Sequence, residues 1–209
     1  SPARRERQTV MLHMPSRRTA PAITVPDLPI RLFGVVRESI VDGPQLRFVI
    51  FVQGCPHHCP GCHNPESHDP AGGYLSSTAR IWNVIRQNPM LRGVTFSGGE
   101  PFLWGNELYE IGRAAHEAGL NVMTYTGFTY EKLLEKAKTE EGVRRLLSVT
   151  NYLVDGPFVL AERDLSLKFR GSRNQRILDV TCYPNSEAAR VLDFDHPAAP
   201  SAGRTNDKN

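Results

Sequence analysis

Three of the four cysteines lie in one short loop, and their spacing suits binding of a metal ion or an iron-sulfur cluster. Cys55, Cys59 and Cys62 are separated by three and two residues, and prolines and glycine stand between them. Such residues favour tight turns, so the three thiolates can converge on one centre. A structural zinc usually takes four protein ligands, whereas a cluster held by three cysteines keeps one iron open for a further ligand.

The cysteine loop alone leaves more than one interpretation open. A structural zinc is chemically reasonable, with His57, His58 or His63 as its fourth ligand. A disulfide would leave one of the three cysteines unpaired, and no apolar run near the start of the chain marks a secretory signal. We therefore expect a reducing, cytoplasmic setting in which the cysteines are thiols or metal ligands.

Composition indicates one soluble domain with a neutral body. The chain has 209 residues, of which 40% are hydrophobic, and no stretch is long and apolar enough to cross a bilayer. The first thirty residues contain five arginines against Glu6 and Asp27, so they account for the formal charge of +3. A neutral body lacks the basic face that phosphates require, so we expect no nucleic-acid partner. We expect no membrane partner either, since the chain has no spanning segment.

Apolar segments alternate with helical patterns along the middle of the chain. A first β-like run covers residues 30–36, strands are predicted at 46–52, 93–96, 120–125 and 149–154, and a last apolar segment covers 177–180. Helices are predicted after the N-cap candidates Ser76 to Thr78, over a stretch that ends at Gly119, at 130–138 behind Thr129, and at 143–148. This alternation predicts βαβ units with a parallel sheet, an α/β fold.

Four polar loops directly follow the predicted parallel strands. They contain residues 55–62, 97–100, 126–127 and 155–156. Because parallel α/β sheets place their active sites at the carboxyl ends of the strands, the four loops should share one rim. The flanking regions lack such a pattern: we expect a flexible basic extension at 1–30, one domain at 31–183 and a flexible tail at 184–209.

Two motifs together resemble a known family. The Cys55, Cys59 and Cys62 spacing, followed by Ser97-Gly98-Gly99-Glu100, is similar to the radical S-adenosylmethionine enzymes. In that family three cysteines hold a [4Fe-4S] cluster, and S-adenosyl-L-methionine chelates the fourth iron. The resemblance implies a partial, open (β/α)6 TIM-like barrel and oxidoreductase chemistry.

The flanking sequences resemble the glycyl radical enzyme activases within that family. They include Val41 to Pro44, Gln53-Gly54 before the first cysteine, and the stretches Leu153 to Phe158 and Arg170 to Gln175, the last two being similar to activases of anaerobic ribonucleotide reductases. The resemblance implies reductive cleavage of S-adenosylmethionine to a 5'-deoxyadenosyl radical, which generates a glycyl radical on the large subunit of the partner reductase. A one-electron donor such as reduced flavodoxin or ferredoxin is implied as well.

The resemblance also implies roles for individual residues. Cys55, Cys59 and Cys62 would bind the cluster, and Asp155 would lie near the cofactor carboxylate, holding a cation or positioning the glycyl peptide. The implied cofactor contacts are Gly61, Cys62, His63, Ser97, Gly98, Gly99, Glu100, Thr126, Asp155, Gly156, Pro157 and Phe158. Glu100 is expected to accept a hydrogen bond from the methionyl amine.

Several points depart from the family pattern or stay open. Gly61 stands where many members carry an aromatic residue against adenine, so Tyr74 and Phe128 are alternative adenine contacts. His57 and His58 are expected at the loop surface, and Cys182 is expected to take no part. The competing functions are an activase of another glycyl radical enzyme, a radical enzyme acting on a small molecule, and a zinc-stabilised module without catalysis.

Overall fold

A computed structural model describes residues 22–196, which form one mixed sheet with helices packed against it. The strands are β1 (Pro29–Ser39), β2 (Arg47–Val52), β3 (Tyr74–Ser77), β4 (Gly93–Gly98), β5 (Asn121–Tyr125), β6 (Tyr152–Asp155), β7 (Arg176–Asp179) and β8 (Arg190–Val191). The helices are α1 (Thr78–Ile85), α2 (Gly105–Glu117), α3 (Tyr130–Ala137) and α4 (Glu141–Val149). The strand order is β3-β1-β2-β4-β5-β6-β7-β8.

The centre of the sheet confirms the predicted α/β class. Strands β2, β4, β5 and β6 are mutually parallel neighbours, and their carboxyl ends therefore meet at one edge. Five of the six β2 residues are buried, as expected for a strand that is covered on both faces. The four predicted loops leave this edge.

The structure does not confirm a (β/α)6 barrel. Strand β1 pairs antiparallel with β2 and β3, and β7 pairs antiparallel with β6 and β8. The connection between β6 and β7 contains a short 3-10 turn, Leu160–Glu162, and no α-helix. A parallel return requires a crossover, usually a helix, so the chain comes back antiparallel. The described residues form an open sheet.

Local sequence signals explain where the helices begin and end. Ser77 and Thr129 are N-caps, and their hydroxyl groups accept hydrogen bonds from Arg80 N–H and Lys132 N–H. Helix α2 ends before Gly119, whose φ of +79° is easily adopted by glycine. Both features agree with the predicted boundaries to within a few residues.

The core lies between the sheet and the helices. Phe96, Leu108, Ile111, Leu146 and Leu147 are among its fully buried side chains. Helices α2 and α4 approach so closely that a Cβ on Gly105 would come within 2.1 Å of Gly142 O. The predicted core residues Trp82, Leu108 and Leu146 are all buried.

A buried arginine at the amino end of β2 fixes the loop that precedes this strand. Arg47 is fully buried and donates to Thr95 Oγ1 at 2.7 Å, to Val94 O at 2.8 Å and to Pro44 O at 3.0 Å. Thr95 Oγ1 in turn donates to Asp42 O at 2.8 Å. Burial lowers the pKa of Arg47 to about 10. The side chain remains charged at neutral pH and holds the 42–44 loop in place.

The segments that flank the predicted domain make defined contacts where they are described. Ile23 and Val25 pack against the core, and Leu28 N–H donates to Thr78 Oγ1 at 2.9 Å. Strand β8 lies within the predicted C-terminal tail and pairs with β7. The remaining parts of the predicted extension and tail, 1–21 and 197–209, lie outside the described residues. Within 22–196, no helix has the length and apolarity of a membrane span.

Candidate active site

One cavity of about 290 Å³ gathers residues from all four predicted loops. The predicted residues that border it are Cys55, Cys59, Cys62, His63, Ser97, Gly98, Gly99, Thr126, Gly156 and Phe158. A larger cavity of about 390 Å³ lies at the amino ends of β4 and β5, beside Trp82 and Leu120. None of the predicted site residues borders that larger cavity, so the smaller one is the candidate active site.

The cysteine loop is anchored at its base by backbone and side-chain hydrogen bonds. Gly54 N–H donates to Ser67 O at 2.6 Å, and Cys55 N–H donates to His68 O at 3.1 Å. Gln53, which is buried, donates to Glu66 O and to Asp69 O at 2.8 Å each. These bonds fold the loop back on itself, and its three cysteines border one cavity.

The three loop cysteines have the chemistry of cluster ligands. All three are free thiols of intermediate exposure, whereas Cys182 is exposed and does not border the cavity. Burial raises the pKa of the Cys55 thiol above its usual 9.0, and the nearby Glu100 carboxylate adds to the rise. Binding to iron requires the thiolate, so cluster assembly would release the Cys55 proton.

The spacing of these thiols matters for the kind of centre they could hold. Residues 22–196 contain no group of three or more His, Cys, Asp or Glu side chains placed to hold one metal ion. In a cubane cluster bound by three cysteines, each thiolate binds a different iron, so the ligands need not converge on a single ion. The three thiols around this cavity therefore fit a cluster by their number and ligand type.

Gly98 and Gly99, at the end of β4, allow two loops to make close backbone contact. Gly98 has a φ of +97°, and a Cβ on it would lie 2.5 Å from Val52 N. A Cβ on Gly99 would lie 2.2 Å from Gly54 O, and Glu100 N–H donates to that same oxygen at 2.7 Å. We expected the missing side chains to make room for a ligand. They also let the Gly98-Gly99 backbone contact the base of the cysteine loop.

Glu100 lies behind the cavity. Its side chain is fully buried, and its Oε1 accepts hydrogen bonds from His57 Nε2 and Thr126 Oγ1 at 2.7 Å and from Gly127 N–H at 2.9 Å. Its Oε2 accepts one from Phe102 N–H at 3.1 Å. The structure thus pairs Glu100 with the protein, where the sequence predicted an acceptor for the methionyl amine.

His57 corrects one sequence-based expectation. We expected His57 and His58 at the loop surface, and His58 is exposed. His57 instead borders the cavity, and its side chain is only 15% exposed. Its ring packs edge-on against Phe128, with 4.4 Å between ring centroids. Sequence alone could not show this contact, because Phe128 is far from His57 in the chain.

Asp155 also lies outside the cavity lining. It is buried, accepts a hydrogen bond from Tyr130 N–H at 2.8 Å, and is paired with Arg176. The Asp155 carboxylate thus caps the first turn of α3 and joins it to β7. The two other predicted residues that do not border the cavity are Gly61, beside Leu160, and Pro157, whose carbonyl accepts from Asn174.

The stretch 170–176 forms a wall of the cavity. Gly171 and Gln175 border it, and Gln175 binds the neighbouring backbone through Gly171 N–H at 2.9 Å and Gly156 O at 3.1 Å. Other lining residues that the sequence did not assign are Asp42, Phe51, His68, Tyr125 and Gly127. The sequence could have indicated Asp42 as a site residue, because it lies in the Val41 to Pro44 motif. The alternative adenine contacts, Tyr74 and Phe128, do not border this cavity.

Comparison with known proteins identifies the family. The family model described as "4Fe-4S single cluster domain" matches residues 41–178, which contain the cysteine loop and the other three loops of the cavity. The chain belongs to this family. Membership implies a 4Fe-4S cluster, as the resemblance to radical S-adenosylmethionine activases predicted. The curated relatives described next confirm that resemblance.

Two of these relatives carry the same name. The anaerobic ribonucleoside-triphosphate reductase-activating protein of Escherichia coli (strain K12) is 33% identical over 145 residues, 66% of this chain and 90% of the relative. That of Pasteurella multocida (strain Pm70) is 34% identical over 153 residues, 69% of this chain and 94% of the relative. A third relative, the pyruvate formate-lyase-activating enzyme of Clostridium pasteurianum, is 35% identical over 114 residues, 50% of this chain and 48% of the relative.

Among solved structures, QueE from Escherichia coli is similar to part of this 4Fe-4S protein. The TM-score is 0.37 at 19% sequence identity, with 49% of this chain and 54% of the QueE chain covered. That similarity is too partial to support a functional argument. The assignment of this chain to the radical activases therefore rests on the family match and on the curated relatives.

Proposed function

We propose that this protein activates an anaerobic ribonucleotide reductase by generating a glycyl radical on its large subunit. The observation that carries the proposal is the cavity, where the three loop cysteines and the Ser97 to Gly99 loop face the same space. When bound there, a [4Fe-4S] cluster supplies the electron that cleaves S-adenosyl-L-methionine to methionine and a 5'-deoxyadenosyl radical. A donor such as reduced flavodoxin or ferredoxin would provide that electron.

Different residues around the cavity would bind the cluster and S-adenosylmethionine. Cys55, Cys59 and Cys62 would hold the cluster as thiolates, which a reducing cytoplasm keeps available. The Ser97 to Gly99 backbone would bind the methionyl end of S-adenosylmethionine. Support comes from the position of these three residues, which border the same cavity as the cysteines.

Other residues that border the cavity would bind the remainder of the cofactor and the glycyl peptide. These are Thr126, Gly156 and Phe158, and His63 of the cysteine loop packs edge-on against Phe158 at 5.4 Å between ring centroids. Phe158 offers an apolar surface to adenine in place of the aromatic residue that Gly61 replaces. Asp155 would act by holding Arg176 and the start of α3 in position.

The reductase is the favoured partner because of the extent of the similarity. Both reductase-activating relatives are covered over at least nine-tenths of their length, whereas the pyruvate formate-lyase-activating relative is covered over 48%. A pyruvate formate-lyase remains the second candidate partner, since the local identity of 35% to its activating enzyme is as high.

The experiment is anaerobic reconstitution with iron and sulfide, followed by assays of cluster content, cofactor cleavage and radical transfer. We expect about four irons per chain and release of 5'-deoxyadenosine under strong reductant. With an anaerobic reductase added, electron paramagnetic resonance should then show a glycyl radical, and the same assay with pyruvate formate-lyase should show little. Stoichiometric zinc with intact S-adenosylmethionine would contradict the proposal. A glycyl radical on pyruvate formate-lyase alone would show that the partner is pyruvate formate-lyase and not the reductase.

A further inference from the structure

We infer that His57 is a positioning residue that, through Glu100, sets the cysteine loop against the loops that bind S-adenosylmethionine. The inference rests on the proposed function and adds to it a role for a residue between two cluster ligands. It also gives Glu100 a structural role: its carboxylate joins loops and does not accept a hydrogen bond from the methionyl amine.

The first observation is that the Glu100 carboxylate is already satisfied by the protein. A carboxylate has about four acceptor positions, and a buried one requires hydrogen-bond donors. Four protein donors, from His57, Phe102, Thr126 and Gly127, lie within 3.1 Å of its oxygens. Three of them share Oε1, so a ligand ammonium group would have to displace one to reach that oxygen. Within the described residues, Oε2 accepts only from Phe102 N–H, but the Glu100 side chain is fully buried and does not border the cavity.

The second observation is that these donors belong to separate loops. His57 comes from the cysteine loop after β2, and Thr126 and Gly127 come from the loop after β5. Glu100 itself follows β4, and its partner Phe102 N–H begins the adjoining 3-10 turn. One buried carboxylate therefore connects three of the four loops of the cavity, and His57 is its contact to the cysteine loop.

The third observation is that the packing around His57 fits its ring closely. A Cβ on Gly127 would lie 2.4 Å from His57 Cδ2, so the absence of a side chain there admits the imidazole. The Phe128 ring also packs edge-on against the His57 imidazole. Because His57 lies between Cys55 and Cys59, holding its ring in this place also holds the direction of the chain that carries both thiols.

Removing the His57 donor should leave the fold intact. Without it, Glu100 keeps Thr126, Gly127 and Phe102 as donors, so the buried carboxylate still has three hydrogen bonds. The cysteine loop keeps its basal bonds from Gly54 and Cys55. The expected defect is a misplaced cysteine loop relative to the cofactor loops, which would weaken S-adenosylmethionine binding without loss of iron.

The test compares His57→Phe, which keeps a ring but has no donor, with His57→Gln, which restores an N–H donor. Each reconstituted protein is analysed for iron content, for the S-adenosylmethionine dissociation constant by equilibrium dialysis, and for the change that the cofactor causes in the spectrum of the reduced cluster. We expect His57→Phe to bind iron normally, to bind S-adenosylmethionine about tenfold more weakly, and to show a reduced spectral change. His57→Gln should recover most of the affinity.

Two further variants complete the design. Gly127→Ala should displace the imidazole and reproduce the His57→Phe defect with His57 present. His58→Asn is the control: its side chain is exposed and its φ is +47°, which asparagine tolerates, so native affinity is expected. Native affinity and spectrum in His57→Phe would overturn the inference, as would equal weakness in His57→Gln. If the unmodified protein binds neither cluster nor cofactor, the proposed function fails and the inference fails with it.

Discussion

At the residue scale, the surroundings of each thiol decide which cysteines can hold a cluster. Cys55, Cys59 and Cys62 border the cavity and are partly shielded from solvent, whereas Cys182 is exposed and lies after β7. A partly shielded site protects iron-sulfur bonds from water, and three ligands are the minimum that hold a cluster with one open iron. Each loop cysteine should therefore be indispensable.

Substitution of single cysteines tests this. Cys59→Ala should lower the iron content after anaerobic reconstitution from about four per chain to background and should abolish 5'-deoxyadenosine formation. Cys182→Ala, with the same change outside the cavity, should match the unmodified protein in both assays. Retained cofactor cleavage in Cys59→Ala would show that this thiol is not a cluster ligand.

At the element scale, the contact between β2 and β4 depends on backbone groups that a side chain would separate. Gly98 combines a φ of +97° with backbone atoms of β2 within 2.7 Å of its ideal Cβ position. Gly119, at the end of α2, has a φ of +79° and open space around it. The two positions separate the cost of a left-handed backbone from the cost of a steric clash.

Alanine substitutions at these two glycines should have different effects on stability. Gly119→Ala adds only the strain of a left-handed conformation, so a loss of about 1 kcal/mol in the free energy of unfolding is expected. Gly98→Ala adds overpacking against the β2 backbone, so a loss of about 3 kcal/mol or more is expected. Urea denaturation of the cluster-free protein measures both values, and equal losses would show that the β2 contact is more open than the structure indicates.

At the scale of the whole molecule, Arg47 joins three strands and a site loop. It contacts β4 through Val94 and Thr95, lies within 3.5 Å of Asn121 O on β5, and holds Pro44 in the loop that carries Asp42. Such a buried cation is costly to desolvate, which is why its pKa falls to about 10. Its hydrogen bonds offset that cost.

Replacing this arginine should destabilise the protein at pH 7. Arg47→Met removes the desolvation cost of the charge, but it leaves buried carbonyl and hydroxyl oxygens without a donor, and that loss dominates. We expect a decrease of about 2–4 kcal/mol in the free energy of unfolding. Arg37→Met, on the exposed part of β1, is the matched control and should change stability by less than about 0.5 kcal/mol. An unchanged free energy of unfolding in Arg47→Met would mean that the buried oxygens find other hydrogen-bond donors.

Much of the fold could be predicted because its signals are local. Ser77 and Thr129 cap their helices as predicted, and strands β2, β4, β5 and β6 lie close to the predicted segments. Strands β3 and β8 were missed because each is short and forms only by pairing with a distant strand. The antiparallel return of β7 was missed for the same reason, since its direction depends on pairing with β6.

The sequence by itself determined the family and the gathering of four loops at one edge of a parallel sheet, and it predicted the cysteine ligand set. These follow from residue spacing and from the order of strands and helices along the chain. Only the tertiary structure decided that His57 faces inward, that Glu100 joins its own loop to two others, and that Asp155 caps α3 and binds Arg176. Hydrogen bonds of buried carboxylates join residues far apart in the chain, so no local pattern could reveal these partners.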